Sequence, residues 1–215
     1  MATDQTYSCL EICTAALRKI GVVSVDEPAQ ADEIEAARDA LNRMLKAWQN
    51  RGYNLWAFSS ESVAATTGPV HSLTAGRVLE IQSVRVKRNG IETPMRQMNR
   101  NEYDTIPQKS STGYPTQYYF NRQRETSTFV VWPVFASVSG ETFEVTYIRE
   151  LEDVELADPV DVPSEWYDAT VYGLAARLLD EYAVNRPNVV ARAEEELRLA
   201  LAYDREGSVY FVCDS

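Results

Sequence analysis

The sequence predicts an α+β fold, mainly α, in which an antiparallel helical bundle carries an inserted small antiparallel β-sheet domain and ends in an extended C-terminal tail. Both ends of the 215-residue chain repeat apolar residues with helical spacing, whereas the middle alternates apolar and polar residues as strands do. The predicted divisions are 1–54 (first half of the bundle), 55–149 (β-sheet region), 150–162 (acidic connector), 163–204 (second half of the bundle) and 205–215 (tail).

The first helical half carries start and stop signals for two helices. Ser8 and Glu11 have the spacing of a capping box, which predicts a helix over 8–20 that Gly21 ends. The stretch 31–52 has the longest amphipathic pattern, and at about 20 residues it would run roughly 30 Å as a helix. Because the link between the two is short, they are expected to pack as antiparallel neighbours.

The middle of the chain predicts strands. Residues 78–87 alternate well, and Asn89-Gly90 is a strong two-residue hairpin signal that returns the chain over 91–95. A helical turn is expected over 99–106. Further strands, rich in aromatic and β-branched residues, are predicted at 116–120, 127–132 and 142–149.

Helices resume after the acidic connector. Ser164 is predicted to cap the next helix, because it follows a proline and precedes acidic residues that favour a helix start. A last helix is expected over 188–204, with an inward face formed by Val190, Ala193, Leu197 and Leu201. The connector is expected to be extended or exposed, because its six acids repel one another and two prolines lie nearby. A cation site or a basic partner's surface stays an alternative.

Composition and charge limit the function classes. The chain is 45% hydrophobic, and its net charge of -11 argues against a general nucleic-acid binder and against docking on an anionic membrane. The segment 77–124 nevertheless carries +5, and the remainder carries -16. Neither a signal peptide nor an apolar stretch near the ~20 residues of a membrane span is visible, so a soluble, intracellular protein is expected.

Cysteine usage predicts free thiols. Cys9, Cys13 and Cys213 are an odd number without a CxxC pair, and the first two lie one helical turn apart on the apolar side of the first predicted helix. Buried thiols in a reducing compartment are therefore expected.

The sequence displays no catalytic or metal-binding constellation. His71, the one histidine, is expected in a loop, and no GxSxG turn or activated cysteine accompanies it. No clustered metal ligands, Walker loop or GxGxxG after a strand occurs. The prediction is accordingly no catalytic residue, no metal, no cofactor and no enzyme activity. A glycosidase-like carboxylate pair stays open, although nothing singles out two of the many acids.

Two groups of charged residues are candidates for macromolecular contact. Six cations lie on the predicted hairpin or beside loops, where contact with DNA phosphates in a channel competes with a role in solubility or subunit salt bridges. They are Arg85, Lys87, Arg88, Lys109, Arg122 and Arg124. On the longest helix, charges of alternating sign suit either a subunit interface or a solvated face. These are Glu35, Arg38, Asp39, Arg43 and Lys46.

The end of the chain is the third candidate. Its apolar, β-prone run can add a strand to a partner's exposed sheet edge, or it can fold back on its own domain. The run comprises Ser208, Val209, Tyr210, Phe211, Val212 and Cys213.

An ordered series of segments resembles a known family over nearly the whole chain. The segments read ALRKIGV, DALNRMLKAWQNRGYNLW, NEYDTIPQKSSTGYPTQYYFNRQ, VVWPV, VTYIRELED and DVPSEWYDATVYGLAARLLDEY. No single one is a signature. Together they resemble the head-to-tail adaptors of tailed bacteriophages, also called head completion or packaged-DNA stabilisation proteins, and within these the tail accessory factor of short-tailed phages.

The resemblance implies a virion protein of the head–tail junction, assembled in the host cytoplasm, with no membrane partner. Such adaptors form a ring, usually of twelve subunits, under the portal protein, which they often bind through their C-terminal segment. They close the DNA-filled capsid, line the channel for genomic double-stranded DNA, and offer a surface to a downstream tail protein such as a nozzle, tail tube or fibre adaptor.

Two rival functions remain beside this one. One member of the short-tailed type has been linked to cell-wall hydrolysis, so a peptidoglycan hydrolase-type virion protein is an alternative, although no residues here match such an activity. A DNA-binding module is the other alternative.

Overall fold

Five α-helices and eight β-strands form in the described part of the chain, which comprises residues 6–24, 26–53 and 55–203 of a computed structural model. The chain divides into two compact units. Met1–Trp56 and Leu151–Ser215 form the helical unit, and Ala57–Glu150 form the β unit. The predicted α+β class is confirmed, but strands make up more of the fold than a mainly α protein with one small sheet would contain.

Four of the five helices belong to the helical unit. In chain order, the five are α1 (Cys9–Ile20), α2 (Ala31–Asn50), α3 (Arg100–Asp104), α4 (Tyr167–Glu181) and α5 (Pro187–Tyr203). α4 contacts α1, α2 and α5, whereas the short α3 lies in the β unit. Within the described ranges, none of the helices is both long and apolar enough to cross a membrane.

Local signals determine where α1 begins and ends. The Ser8 hydroxyl accepts the Glu11 backbone N–H at 3.3 Å, and the Glu11 carboxylate accepts the Ser8 N–H at 2.8 Å, which completes the predicted capping box. Gly21 has φ +76°, the left-handed conformation that ends many helices, and its N–H donates to carbonyls of the last turn. The predicted helix is therefore confirmed. Cys9 and Cys13 are buried and free, as predicted.

α2 and α4 approach closely at Gly173. A Cβ atom there would lie 3.1 Å from Met44 Sδ and 3.2 Å from Trp48 Cζ2, which is tighter than ordinary side-chain contact. Trp48 in turn meets Trp166 edge-on, with ring centroids 5.5 Å apart. A glycine at this position thus lets the α4 backbone lie against the large side chains of α2.

The cap predicted for α4 is wrong. Ser164 lies inside a 3₁₀ turn over Ser164–Trp166, and α4 begins after Trp166, which makes no side-chain capping bond. The turn follows directly from Pro163, whose carbonyl accepts the Trp166 N–H at 3.0 Å. Ser164 is therefore exposed at a turn rather than placed to accept the first free N–H groups of the helix.

Of the inward face predicted for α5, Ala193 is buried as expected, whereas Val190 is not. Its buried residues are Val189, Ala193 and Ala200, whereas Val190 is 41% exposed. Two of the three buried side chains are alanines, and the larger Leu197 and Leu201 are only partly buried. The face that α5 buries therefore carries smaller side chains than its largest apolar residues predict.

The β unit contains two four-stranded sheets rather than one small antiparallel sheet. The strands are β1 (Phe58–Ala64), β2 (Val70–Ser72), β3 (Val78–Arg88), β4 (Ile91–Pro94), β5 (Arg96–Met98), β6 (Gln117–Asn121), β7 (Thr128–Trp132) and β8 (Thr142–Arg149). One sheet has the order β1-β8-β3-β4 and is antiparallel throughout. The other has the order β2-β7-β6-β5, and its β5–β6 pair is parallel.

The predicted β3–β4 hairpin is confirmed. Asn89 and Gly90 have φ values of 52° and 80°, the left-handed pair that a tight two-residue turn requires. The two sheets share one hydrophobic core, to which Tyr118 and Phe129 contribute from one sheet and Phe143 from the other. Sharing a core explains the strongly apolar β7, which is buried at three successive positions.

Candidate interaction surfaces

The acidic connector is docked along α2, because two amide side chains of α2 hydrogen-bond its backbone. Asn42 Oδ1 accepts the Val154 N–H at 3.0 Å and Asn42 Nδ2 donates to the Val154 carbonyl at 3.2 Å. Gln49 Oε1 accepts the Leu151 N–H at 2.9 Å. We call residues 151–162 the strap. It also pairs with the start of α1, where the Cys9 N–H donates to the Asp158 carbonyl at 2.9 Å.

The prediction of an exposed connector is therefore wrong for its apolar residues. Leu151, Val154 and Val160 are 0%, 4% and 7% exposed, whereas the strap's acids Asp153 and Glu155 remain at the surface. Residues 151–155 have no regular secondary structure, and a turn follows in which the Asp158 N–H donates to the Glu155 carbonyl at 3.1 Å. The apolar side chains of the segment face the protein while most of its acids face solvent. The number of acidic residues alone therefore overestimates how exposed such a segment is.

A charged groove of about 610 Å³ is lined by the polar side of α2 and by two acids of the strap, Asp153 and Glu155. Arg38 Nη1 lies 3.0 Å from Glu155 Oε2, and Lys46 Nζ lies 3.2 Å from Asp153 Oδ1. Four of the five residues predicted for a subunit interface line the groove, namely Arg38, Asp39, Arg43 and Lys46. Glu35 does not line it and is exposed on α2.

Arg43 differs from the other groove cations. Arg38 and Lys46 are held by acids of their own chain, and Arg38 also lies 3.1 Å from Asp39. Among the described residues, Arg43 makes no ion pair or side-chain hydrogen bond. The groove is thus largely neutralised from within, and Arg43 is the positive charge left available to a partner.

The three hairpin cations predicted to face DNA have carboxylate partners within the β unit. Arg85 Nε lies 2.9 Å from Glu92 Oε2, and Lys87 Nζ lies 3.5 Å from Glu144 Oε1. Arg88 Nε lies 3.2 Å from Glu141 Oε1. Three acids therefore balance three cations at this hairpin.

Glu141 is the buried member of these pairs, at 5% exposure. Backbone N–H groups of Ser139 and of Glu141 itself hold the pKa of its carboxyl below the usual range, with Arg88 contributing further. Glu141 is consequently charged at neutral pH and fixes Arg88 in place. A cation held in this way is less available to phosphates than an unpaired one.

The other three candidate cations lie apart from the hairpin pairs. Lys109 Nζ donates to the carbonyls of Asp104 and Ile106 at 3.2 and 3.4 Å. Arg122 stands over the Phe120 ring, 5.7 Å from its centroid, and Arg124 is exposed. The geometry therefore separates the six cations into a neutralised hairpin group and a loop group without carboxylate partners in the described chain.

His71 is a core residue in β2 rather than a loop residue, so the predicted location is wrong. Its ring lies 5.3 Å from that of Phe129 and 4.7 Å from that of Phe143, and it is 4% exposed. The Thr66 N–H donates to its Nε2 at 3.2 Å, which leaves the proton on Nδ1. Burial lowers the pKa of His71, partly offset by the Pro69 backbone.

The candidate tail residues 208–213 lie outside the described residues. In the ranges that are described, no three His, Cys, Asp or Glu side chains are arranged to hold a metal ion.

A family model described as SU10 adaptor protein matches residues 7–209, and the chain belongs to this family. The predicted kinship with phage head-to-tail adaptors is thereby confirmed.

Comparison with solved structures adds a weaker likeness. A chain of the structure titled "Neck of empty GTA particle computed with C6 symmetry" is 14% identical, and the match covers 84% of each chain. Its TM-score of 0.31 is too low to establish a shared fold. No curated protein matches the chain at a significant level.

Replacing Asn42 with alanine should destabilise the helical unit. The change leaves the N–H and the carbonyl of Val154 without their partner, which costs about 1–3 kcal/mol when such groups are buried. Thermal unfolding should therefore begin several degrees lower than in the wild type. Arg43→Ala is the matched control, because it removes a side chain from the same groove without breaking an internal bond. Equal midpoints for Asn42→Ala and Arg43→Ala would contradict the assignment.

His71 should make stability depend on pH. Its folded-state pKa lies below the ordinary 6.5, so the unfolded chain binds the proton first and the free energy of unfolding falls as pH drops below 6.5. Uptake of this one proton lowers the free energy of unfolding by at most about 1.4 kcal/mol per pH unit. His71→Gln retains an acceptor for the Thr66 N–H but cannot titrate. Its unfolding midpoint should fall less between pH 7 and pH 5; curves parallel to the wild type would refute the role.

Proposed function

We propose that the chain forms a ring beneath the portal of a tailed phage and connects the filled head to the tail. The observation that carries this proposal is the family match over residues 7–209, which spans almost all of the described chain. In this role the ring closes the DNA-filled capsid and offers its far side to a downstream tail protein. The protein is then a structural component of the virion, assembled in the host cytoplasm.

We propose that the helical unit builds the ring, with α1, α2, α4 and α5 arranged as an antiparallel bundle. The contacts of α4 with the other three helices support this arrangement. Tyr182, at the end of α4, lies close enough to Asp32 and Glu33, at the start of α2, for their charges to act on it. Such proximity is expected where two helices run in opposite directions.

The β unit is the second part of the proposal. As an insertion with a core of its own, it is suited to present loops without disturbing ring contacts. Of the cations assigned to a DNA channel, Lys109, Arg122 and Arg124 are better suited than the paired Arg85, Lys87 and Arg88, because they lack carboxylate partners in the described chain. A channel that lets DNA pass needs only weak contacts with phosphates.

Portal binding is assigned to residues 208–213, with Tyr210 and Phe211 as anchors. An apolar, β-prone segment is suited to lie as extended chain on a partner's sheet edge. A ring multiplies such contacts, because each bound copy raises the effective concentration of the next.

Truncation after Asp204 tests the assignment. The shortened chain retains every described residue, so its thermal unfolding should match that of the full chain. Co-sedimentation with portal rings should be lost, because the extended contact is gone. If the truncated chain still binds portal rings as well as the full chain does, the assignment is wrong. A full-length variant with Tyr210→Ser and Phe211→Ser distinguishes the loss of the two anchors from the loss of chain length.

A further inference from the structure

The turn between α4 and α5 borders an open pocket of about 380 Å³ within the helical unit. We call it the elbow pocket. Most of its lining is apolar, and it is formed by Leu179, Ala183, Val184, Pro187 and Val190. Val190 and Pro187 are exposed although both are apolar. A concave site with several apolar walls is suited to take an apolar side chain of a partner.

A second apolar patch lies at the start of α1. Leu10 is 46% exposed, and its N–H donates to the Leu156 carbonyl of the strap at 3.0 Å. Ala157 is exposed beside Leu156, and Pro159 forms an isolated β-bridge with Ser8. These backbone bonds hold the strap against the first turn of α1, so the patch is already in place before a partner binds. We call Leu10, Leu156, Ala157 and Pro159 the α1 patch.

α1 keeps the two surfaces of one chain apart. The guanidinium of Arg186, which lines the elbow pocket, lies so close over Gly21 that a Cβ atom there would collide with it. Gly21 ends α1, whereas Leu10 lies in its first turn. At the rise of an α-helix, Leu10 and Gly21 are roughly 16 Å apart along the axis. The α1 patch therefore cannot fill the elbow pocket of its own chain.

Each surface also carries one charge without an internal ion pair. Asp158, in the strap turn of the α1 patch, is exposed, and its Oδ2 accepts the Glu155 N–H at 3.2 Å. Within the described ranges, no cation pairs with Asp158 and no carboxylate pairs with Arg186. The two apolar surfaces are thus accompanied by charges of opposite sign, which attract each other when the surfaces meet.

We propose that the α1 patch of one copy packs into the elbow pocket of the next copy, with Asp158 facing Arg186. A second copy is the occupant because the chain itself carries both complementary surfaces and cannot join them internally. The contact is heterologous, and repetition of a heterologous contact closes into a ring when its rotation permits. This inference rests on the proposed ring and names the contact between neighbouring subunits.

The contact is too small to assemble free chains. It involves about one helical turn and one strap turn on one side and a single pocket on the other, whereas stable interfaces use roughly 20–30 residues a side. On a portal ring, neighbouring copies are held side by side, and the effective concentration of each surface for the next rises accordingly. The contact therefore orders copies that the portal has already gathered.

Placing a carboxylate in either surface tests the contact. Leu10 and Val190 are exposed in the single chain, so Leu10→Glu and Val190→Glu should both fold, as thermal unfolding checks. Each variant should need at least about tenfold more protein than the wild type to fill a portal ring in mass photometry, because a charge is then buried among apolar groups. Leu199→Glu is the matched control. Leu199 is 51% exposed and, nine residues beyond Val190, lies on the opposite side of α5, so ring filling should not change.

Cross-linking on portal rings tests which surfaces meet. All variants carry Cys213→Ser and retain the buried Cys9 and Cys13. With a short bismaleimide, a chain carrying both Leu10→Cys and Val190→Cys should give a ladder of covalent oligomers. Either single change should give no cross-linked product, and a mixture of the two single variants should give dimers and nothing larger. This pattern is expected only where unlike surfaces of neighbouring copies meet.

Each adverse outcome has a distinct meaning. If the double variant fills rings but gives no ladder, or a single variant cross-links to itself, the contact is wrong and the ring proposal stands. If Val190→Glu prevents binding of any copy while Leu10→Glu fills rings normally, the portal occupies the elbow pocket and the inference is overturned. If even the wild type never binds portal rings in multiple copies, the ring proposal fails and the inference fails with it.

Discussion

The pairing of α2 with the strap joins the two halves of the helical unit, which the whole β unit separates in sequence. The chain leaves this unit after Trp56 and returns at Leu151, whose N–H is accepted by Gln49 near the end of α2. Asn42 accepts the Val154 N–H in the same way, three residues further along the strap. Trp56 Nε1 donates to the Asp161 carbonyl at 3.1 Å. The residues where the chain leaves and re-enters the helical unit are therefore held beside the same helix. The strap then leads into α4, which packs in the helical core.

The strap also determines which charges remain for partners. By pairing with Glu155 and Asp153, Arg38 and Lys46 serve the fold of their own chain, and the hairpin cations of the β unit are balanced in the same way. Among the described residues, Arg43 of α2 and the loop cations Lys109, Arg122 and Arg124 keep no carboxylate partner.

Sequence reasoning succeeded where a local bond or backbone conformation decides the outcome. The Ser8–Glu11 cap and the Asn89-Gly90 turn depend on residues within three positions of each other, and both form as predicted. Prediction from the sequence failed where contacts between residues far apart in the chain determine the structure. The three-residue strands β2 and β5 are too short to show alternation, and the exposed strap was inferred from its acids although its apolar residues pack on a helix more than a hundred positions away. That Arg43 lacks an acidic partner while Arg38 and Lys46 have one was unpredictable for the same reason, since pairing depends on which acids the fold brings near.

The central claim is that this family member acts as a ring on the portal. Mass photometry of the full-length chain with and without portal rings tests it most directly. Portal rings should gain a full complement of chains over a narrow concentration range, because in a closed ring each bound copy contacts the next. Portal rings that gain no mass, or that gain single copies in proportion to concentration without filling, would contradict it.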